Sequence, residues 1–486
     1  MKRRIAFILL AAMLSAGCRN TVAPISETEA ETEISVSETE TETENPILDD
    51  LPDNLNYDGY TFNIFTFSGG NTGTTNKQYL TVEDMTGEIV NDAAYQRNSE
   101  VEDRLDIAIT CLESADPNHP NQSIELKQYV TAGDTSIDLC VMFANNSIHD
   151  LVLNNVLYDV SKMKYVDTDK DYYDHNFIDT FSLCGSRYIM AGSYPYTSGP
   201  SCFFIFNKDE WKNRNLEDAY GLVYDGKWTH DKLMELINGT YTDKNGDGNY
   251  DDNDFYGLDT VGVVMRAFCP CYGASVMTVN GTEYTVNVAN EESFGILEKV
   301  VALASDPNVH LGSGDRMWAN FMEGNSLMMY YGSGLYRLRD IEFDFGYLPT
   351  PKLNEEQEDY ISYKLCYPVC IPSNVTDPDR TGAVCEALFS TSEKYMTDAF
   401  IDTYVENKIL RDEDSQKLYR MSMTSGVYDF SSYYQADEKK IADFMLAGNL
   451  IAAKSTDIAS SWRSIEKIVT RAYNKFFEEI EKNLAE

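Results

Sequence analysis

The chain has 486 residues, a formal charge of −40, 43% hydrophobic residues and 33 Tyr. That charge argues against nucleic acid, which needs a basic footprint, and against adsorption onto anionic lipid. A body of roughly 430 residues exceeds one core and predicts two lobes.

Lys2, Arg3 and Arg4 precede an apolar run of about ten residues, 5–14, the pattern of a signal peptide and too short to span a bilayer. Leu14-Ser15-Ala16-Gly17-Cys18 follows and resembles the lipobox of bacterial lipoproteins. It predicts removal of residues 1–17 and lipidation of Cys18. Residues 18–55 read as an acidic linker. Within it ETEAETEISVSETETETE, residues 27–44, offers almost nothing apolar to bury, so it is expected to be a disordered tether. About 38 flexible residues reach roughly 35 Å. No other apolar run is long enough for a transmembrane helix. Of ten Cys, Cys18 leaves an odd number. Neither Cys269/Cys271 nor Cys366/Cys370 has zinc spacing, so the rest read as small buried hydrophobes rather than a disulfide framework.

Residues 60–67, YTFNIFTF, read as the first strand, ending in Ser68-Gly69-Gly70. Residues 90–105 read as a helix capped by Asn91, and 106–111 as a second strand. Residues 123–131 form a helix closed by Ala132-Gly133, where Gly suits a left-handed cap. Residues 137–143 read as a buried parallel strand. The β, α, β, α, β order predicts an α/β lobe. Residues 201–207, SCFFIFN, read as a buried strand entering a helix over 208–214, and Thr229 caps a helix through Asn238. Further helices are expected over 289–305, 379–405 (as one helix or two) and 457–480. Strands 327–331 and 343–348 flank Gly332-Ser333-Gly334 and a short helix over 335–339. Ligands in open α/β sheets sit at such strand ends.

Residues 243–254, DKNGDGNYDDND, match a 12-residue Ca²⁺ loop. Side-chain oxygens of Asp243, Asn245, Asp247, Asp251 and Asp254 fall at positions 1, 3, 5, 9 and 12, with Gly248 at 6 and the Asn249 carbonyl at 7. Asp254 departs from the pattern, replacing the usual bidentate Glu. The expected ion is structural Ca²⁺, pinning a long loop.

Taken together, the lipobox, YTFNIFTF, VNDAAYQRNSEVEDRLDIAI, FFIFNKDEW, GKWTHDKL with the DKNGDG loop, FMEGNSLMMYYGSG…DFGYLPTPK and RDEDSQKLYRMSMTSGVYDF resemble the extracellular solute-binding lipoproteins of ABC importers (family 1, carbohydrate type, the family that includes maltose-binding protein). The resemblance covers the body from Asn56 onward. It implies a two-lobe periplasmic-binding-protein-like α/β fold (type II), with hinge strands and a ligand cleft. Residues 201–207 look like the first crossing and 362–371 like the return. One lobe is then 56–205 plus 362–430, and the other 206–361 plus 431–486. The resemblance also implies a monomer, lipid-anchored on the extracellular face of the membrane, that hands a sugar to permease subunits.

A sugar needs aromatic faces and a rim of polar groups. The candidates are Phe67, Ser68 and Asn145 on one lobe and Trp318, Tyr331, Ser333 and Tyr336 on the other. Tyr194, Tyr196 and Tyr272 are secondary. The alternatives are a surface glycoside hydrolase, or the same fold used as a sensor or adhesin. The five His are scattered, and GxSxG, HExxH and P-loop motifs are missing, so no enzyme is expected.

Overall fold

The computed structural model describes residues 48–68, 77–115, 121–143, 148–195, 199–275, 277–280, 283–286, 290–332, 335–406, 409–434 and 443–485. Cys18, the signal peptide and most of the acidic linker lie outside the described residues. Pro46–Glu486 is one compact unit. In chain order its strands are β1 (Tyr60–Thr66), β2 (Ile107–Glu113), β3 (Leu139–Val141), β4 (Phe203–Asn207), β5 (Tyr256–Thr260), β6 (Met277–Asn280), β7 (Glu283–Val286), β8 (Val309–Leu311), β9 (Ser326–Tyr331), β10 (Phe345–Leu348), β11 (Ser362–Tyr363), β12 (Val369–Cys370) and β13 (Gly426–Val427).

Two larger sheets carry the two lobes. The first runs β12-β3-β1-β2, with β1 parallel to both β2 and β3, and β12 antiparallel at the edge. The second runs β10-β4-β9-β5-β8, parallel over β9, β5 and β8 and antiparallel at β4 and β10. Every residue of β4 is buried. This is why FFIFN carries no polar alternation: a central strand covered on both faces reads as a continuous apolar run.

Local rules account for many boundaries. Thr229 accepts from the Lys232 N–H and starts helix His230–Ile237. Gly133 takes φ +71° just past helix Gln122–Thr131. The cap of helix Ile89–Leu105 is Glu88 rather than Asn91; its carboxylate accepts the Asn91 N–H. The expected 379–405 helix is α-helical over Pro378–Ser392 and then widens into π turns over Glu393–Thr397 and Ala399–Glu406. Of the 137–143 segment, strand β3 takes only Leu139–Val141, with single backbone bonds from Asp138 to Asn63 and from Met142 to Pro368 on either side.

Two of the sequence segments prove to be one packing unit. The Lys352 N–H donates to the Trp228 carbonyl, and the His230 N–H donates to the Lys352 carbonyl. Trp228 is fully buried and donates its indole N–H to the Pro349 carbonyl at 2.9 Å, while the Tyr360 hydroxyl accepts its backbone N–H. GKWTHDKL and GYLPTPK are therefore two sides of one seam.

The packing draws the lobe boundary elsewhere than the sequence does. A cut after residue 205 would split β4, which lies wholly in the second sheet. Helix Glu413–Thr424, expected with the first lobe, packs on β10 of the second, where the Tyr347 N–H donates to Ser415 Oγ. The C-terminal helix Ile458–Ala485 touches Ile148–Leu153 of one lobe and Glu291–Ser305 of the other. Its buried Tyr473, Phe476 and Phe477 rings meet Phe430, Tyr434 and Tyr284.

One buried carboxylate in the first lobe carries a pH signature. Glu386 is buried in helix Pro378–Ser392, with its oxygens accepting from the Tyr172 and Tyr173 hydroxyls and the Asp167 N–H. Burial pushes its pKa up from 4.5 to about 7, against these hydrogen bonds, which lower it. As pH rises from 4.5 to about 7, the unfolded chain loses this proton while the folded chain keeps it. The folded state therefore loses stability across that window, by about 3 kcal/mol in all. Urea unfolding of wild type and Glu386→Gln at intervals across it is expected to show wild-type stability falling relative to the variant as pH rises. A constant difference would contradict the effect of burial on this carboxyl.

Candidate functional site

The site is built where the chain crosses between sheets. The Ser201 N–H donates to the Tyr363 carbonyl at 2.8 Å. The Ser201 hydroxyl donates to the Leu365 carbonyl at 3.1 Å and accepts the Leu365 N–H at 2.7 Å. Ser362 and Lys364 in turn donate their N–H groups to the Ser425 and Val427 carbonyls, each at 2.9 Å. Three segments, centred on 201, 362–365 and 425–427, thus lie side by side. They form a hinge held by backbone hydrogen bonds together with the two through the Ser201 hydroxyl.

Both sets of strand ends abut this hinge. On one side Gly332, just past β9, presses on Ser201; a Cβ at 332 would lie 1.1 Å from the Ser201 carbonyl oxygen. On the other side Tyr367, two residues past Leu365, joins Phe67 and Phe143 at the ends of β1 and β3. The ring centroids lie 4.9 and 5.8 Å from Tyr367. The carboxyl ends of β1, β3 and β9 therefore converge on the crossing strands, where open α/β sheets place ligands.

The sequence candidates fall into three groups there. Ser68 and Tyr331 are half-buried at the strand ends. Phe67 and Trp318 are 0% and 3% exposed, so their faces are covered by neighbours. Phe67 is covered by Phe143 and Tyr367. Trp318 meets Tyr331 edge-on at 6.2 Å and lies under the Arg337 guanidinium at 5.8 Å. Asn145 and Ser333 lie outside the described residues, as does the Tyr336 side chain, although its backbone belongs to the 3₁₀ turn Leu335–Asp340. Of the secondary candidates, Tyr194 is buried beneath the Arg97 guanidinium and Tyr272 is buried against His230. Both are core residues in this structure, and Tyr196 is not described.

Sequence reasoning missed three residues here: Phe143, Tyr367 and Arg337. Tyr367 could have been found, since it falls inside the segment expected to return the chain. Arg337 pairs with Asp315 at 3.0 Å, but Asp315 is 92% exposed, so that pair is weak. A guanidinium beside a half-buried Tyr is suited to the hydroxyl rim of a polyol.

A buried charge pair braces the hinge. Lys364 Nζ lies 3.2 Å from Asp174 Oδ2, which also accepts the Tyr428 hydroxyl at 2.8 Å. The other Asp174 oxygen accepts the Phe177 N–H and caps helix His175–Phe181. One carboxylate thus joins the first lobe, the return segment and the third crossing.

The two histidines of the second lobe serve packing. His230 is buried against the Tyr272 hydroxyl at 3.1 Å, and burial pushes its pKa down to about 4. His310 contacts Asp259 through Nδ1 at 3.0 Å and Asp252 through Nε2 at 3.1 Å. Asp252 belongs to the acidic loop, so His310 ties that loop to the sheet edge.

In the acidic loop, Gly246 and Gly248 take φ +75° and +76°, and their N–H groups donate to the two Asp243 oxygens. The Asp247 and Asn249 N–H groups donate to Asn245 and Asp247. Each of these acceptors keeps further lone pairs, so the exposed half of the loop retains a hard-oxygen donor set that suits Ca²⁺. The Tyr241 hydroxyl is 3.1 Å from the Asn249 carbonyl and 2.9 Å from Asp254 Oδ2. The oxygens of positions 7 and 12 therefore meet at the Tyr241 hydroxyl, and the buried Asp254 carboxylate also accepts the Lys244 and Asp251 N–H groups. Among the described residues no three acidic, His or Cys side chains are already gathered at metal-binding range.

No family model matches the sequence, and no curated protein matches it. Solved structures do. A cyclo/maltodextrin-binding protein complexed with maltotetraose superposes with a TM-score of 0.58 at 13% identity, covering 85% of this chain and 97% of that one. The fold is that of the ABC substrate-binding proteins. The substrate-binding protein Lmo0181 of Listeria monocytogenes, in complex with cycloalternan, gives 0.55 at 14% identity over 86% of this chain and all of its own. UgpB of Mycobacterium tuberculosis, in complex with glycerophosphocholine, gives 0.53 at 11% identity over 86% of this chain and 98% of its own. The three segments at 201, 362–365 and 425–427 are the hinge strands of that fold.

Proposed function

We propose that this chain is the substrate-binding component of an ABC importer, capturing a carbohydrate outside the cell, an oligosaccharide by preference, and releasing it unaltered to permease subunits. The observation that carries the reading is the hinge flanked by strand ends, on a fold that spans nearly the whole of carbohydrate-binding neighbours. Ser68, Tyr331 and Arg337 would contact the sugar, with Asn145, Ser333 and Tyr336 completing the rim. Phe67, Phe143, Tyr367 and Trp318 would wall the cleft. Closure stores binding energy in the closed form only if the ligand touches both lobes. A thermal-shift screen against a glycan panel, with analysis of the recovered sugar, tests this. Stabilisation by at least one glycan recovered intact is expected; turnover of the glycan, or stabilisation by none, would overturn it.

The reading places the mature chain on the outer membrane face, anchored through lipid on Cys18. Among the described residues no helix is long and apolar enough to cross a membrane. Structural Ca²⁺ would be held by Asp243, Asn245, Asp247, Asp251 and Asp254 with the Asn249 carbonyl. An ion there neutralises part of a crowded acidic loop. Chelation is expected to lower the melting temperature and to release stoichiometric Ca²⁺; no change in either would remove the ion from the account.

A further inference from the structure

We propose that Cys140 and Cys370 are a redox pair whose disulfide staples the returning strand β12 to β3. The two residues are direct partners across the antiparallel β3–β12 ladder, and both are fully buried. Opposed residues of such a ladder project from the same face of the sheet. The Met142 N–H donates to the Pro368 carbonyl, and Val369 turns its own N–H and carbonyl to Met190 on the other side. By the alternation of the ladder, Cys140 and Cys370 are a hydrogen-bonded pair, with Cα atoms about 5.5 Å apart.

That separation falls inside the range a disulfide spans, and the Cβ atoms need to close by only about 1 Å. The shift falls on a strand only two residues long at the end of the four-stranded sheet, with Met190 paired to Val369 beyond it. Burial, and after it the neighbouring Cys370, pushes the Cys140 thiol well above its ordinary range. The other close thiols are placed differently. Cys269 and Cys271 lie two apart in one helical turn, where side chains diverge, and the Cys366 thiol meets the Tyr433 hydroxyl at 3.6 Å.

The oxidant is a small-molecule disulfide. The thiolate of one Cys attacks a sulfur of the oxidant, expelling one thiolate that takes up the proton. The second Cys, losing its proton, then attacks the mixed disulfide at the protein sulfur and expels the other half as a second thiol. The two protein thiols lose two hydrogens and the oxidant becomes two thiols. Scarce thiolate and deep burial make both formation and reduction slow, and both require β12 to open. The bond would close a loop of more than two hundred residues, where the constraint on the unfolded chain is largest.

The test uses the whole chain, incubated reduced or with oxidised glutathione, then denatured, alkylated and mapped by mass spectrometry. The expected result is loss of two alkylatable thiols, one cross-linked peptide joining positions 140 and 370, and a melting temperature raised by several degrees. Cys140→Ser and Cys370→Ser should each abolish the shift. The wild-type peptide map decides even where a variant does not fold. Full alkylation after oxidant, a glutathione adduct without the cross-link, or a cross-link between other cysteines would overturn the proposal.

Discussion

Gly332→Ala is expected to be among the most damaging single substitutions in this chain, destabilising the body by about 3 kcal/mol or more. The added methyl would lie 1.1 Å from the Ser201 carbonyl oxygen and 2.0 Å from its carbon. Those atoms belong to the outgoing crossing strand, whose amide and hydroxyl are bonded to Tyr363 and Leu365. Nothing there is the free end of a side chain, so relief requires the β9 end or the crossing strand to move. Gly324, at the other end of the same segment, is the control. It takes φ +73° with no atom within 4 Å of its would-be Cβ. Gly324→Ala should therefore cost only the left-handed backbone penalty, about 1 kcal/mol. Denaturant titration of both variants gives the comparison, and glycan binding should fall for the 332 variant alone. Equal costs would mean that β9 does not press on the hinge.

The second large effect is expected at Asp174. Removing this carboxylate leaves the Lys364 ammonium, whose side chain is 8% exposed, without its partner. It also removes a partner of the Tyr428 hydroxyl and the cap of helix His175–Phe181. Breaking one side of a buried pair costs about 3–5 kcal/mol, because an uncompensated charge stays in a poorly hydrated site. Asp174→Ala should fall in that range. Asp174→Ala combined with Lys364→Met should recover part of the loss, since no charge is then stranded. A single-variant cost below about 1 kcal/mol would place this pair with the ordinary surface ion pairs.

The contrast between these positions shows what could be read from the chain alone. β4 and β9 were legible because central strands leave continuous apolar runs, and Thr229 and Gly133 because caps are local chemistry. The hinge was legible only to its neighbourhood. SCFFIFN reads as one strand, but Ser201 is bound to residues 363 and 365, and nothing near it in sequence announces that pairing. Helix Glu413–Thr424, in a stretch expected with the first lobe, packs on the second sheet for the same reason: its anchor, Ser415 Oγ on the Tyr347 amide, joins residues far apart in the chain. Among the ligand candidates, residue type pointed to rings at strand ends, but type does not reveal cover. Phe67 is covered by Phe143 and Tyr367, and Trp318 meets Tyr331 and Arg337.

The central claim is that two lobes close on an unaltered guest. Small-angle X-ray scattering of the whole chain, with and without the glycan that stabilises it most, tests this directly. The account predicts a smaller radius of gyration in the bound form, reversed when the same intact sugar is dialysed away. An identical radius in both states, at a ligand concentration that saturates the thermal shift, would contradict it.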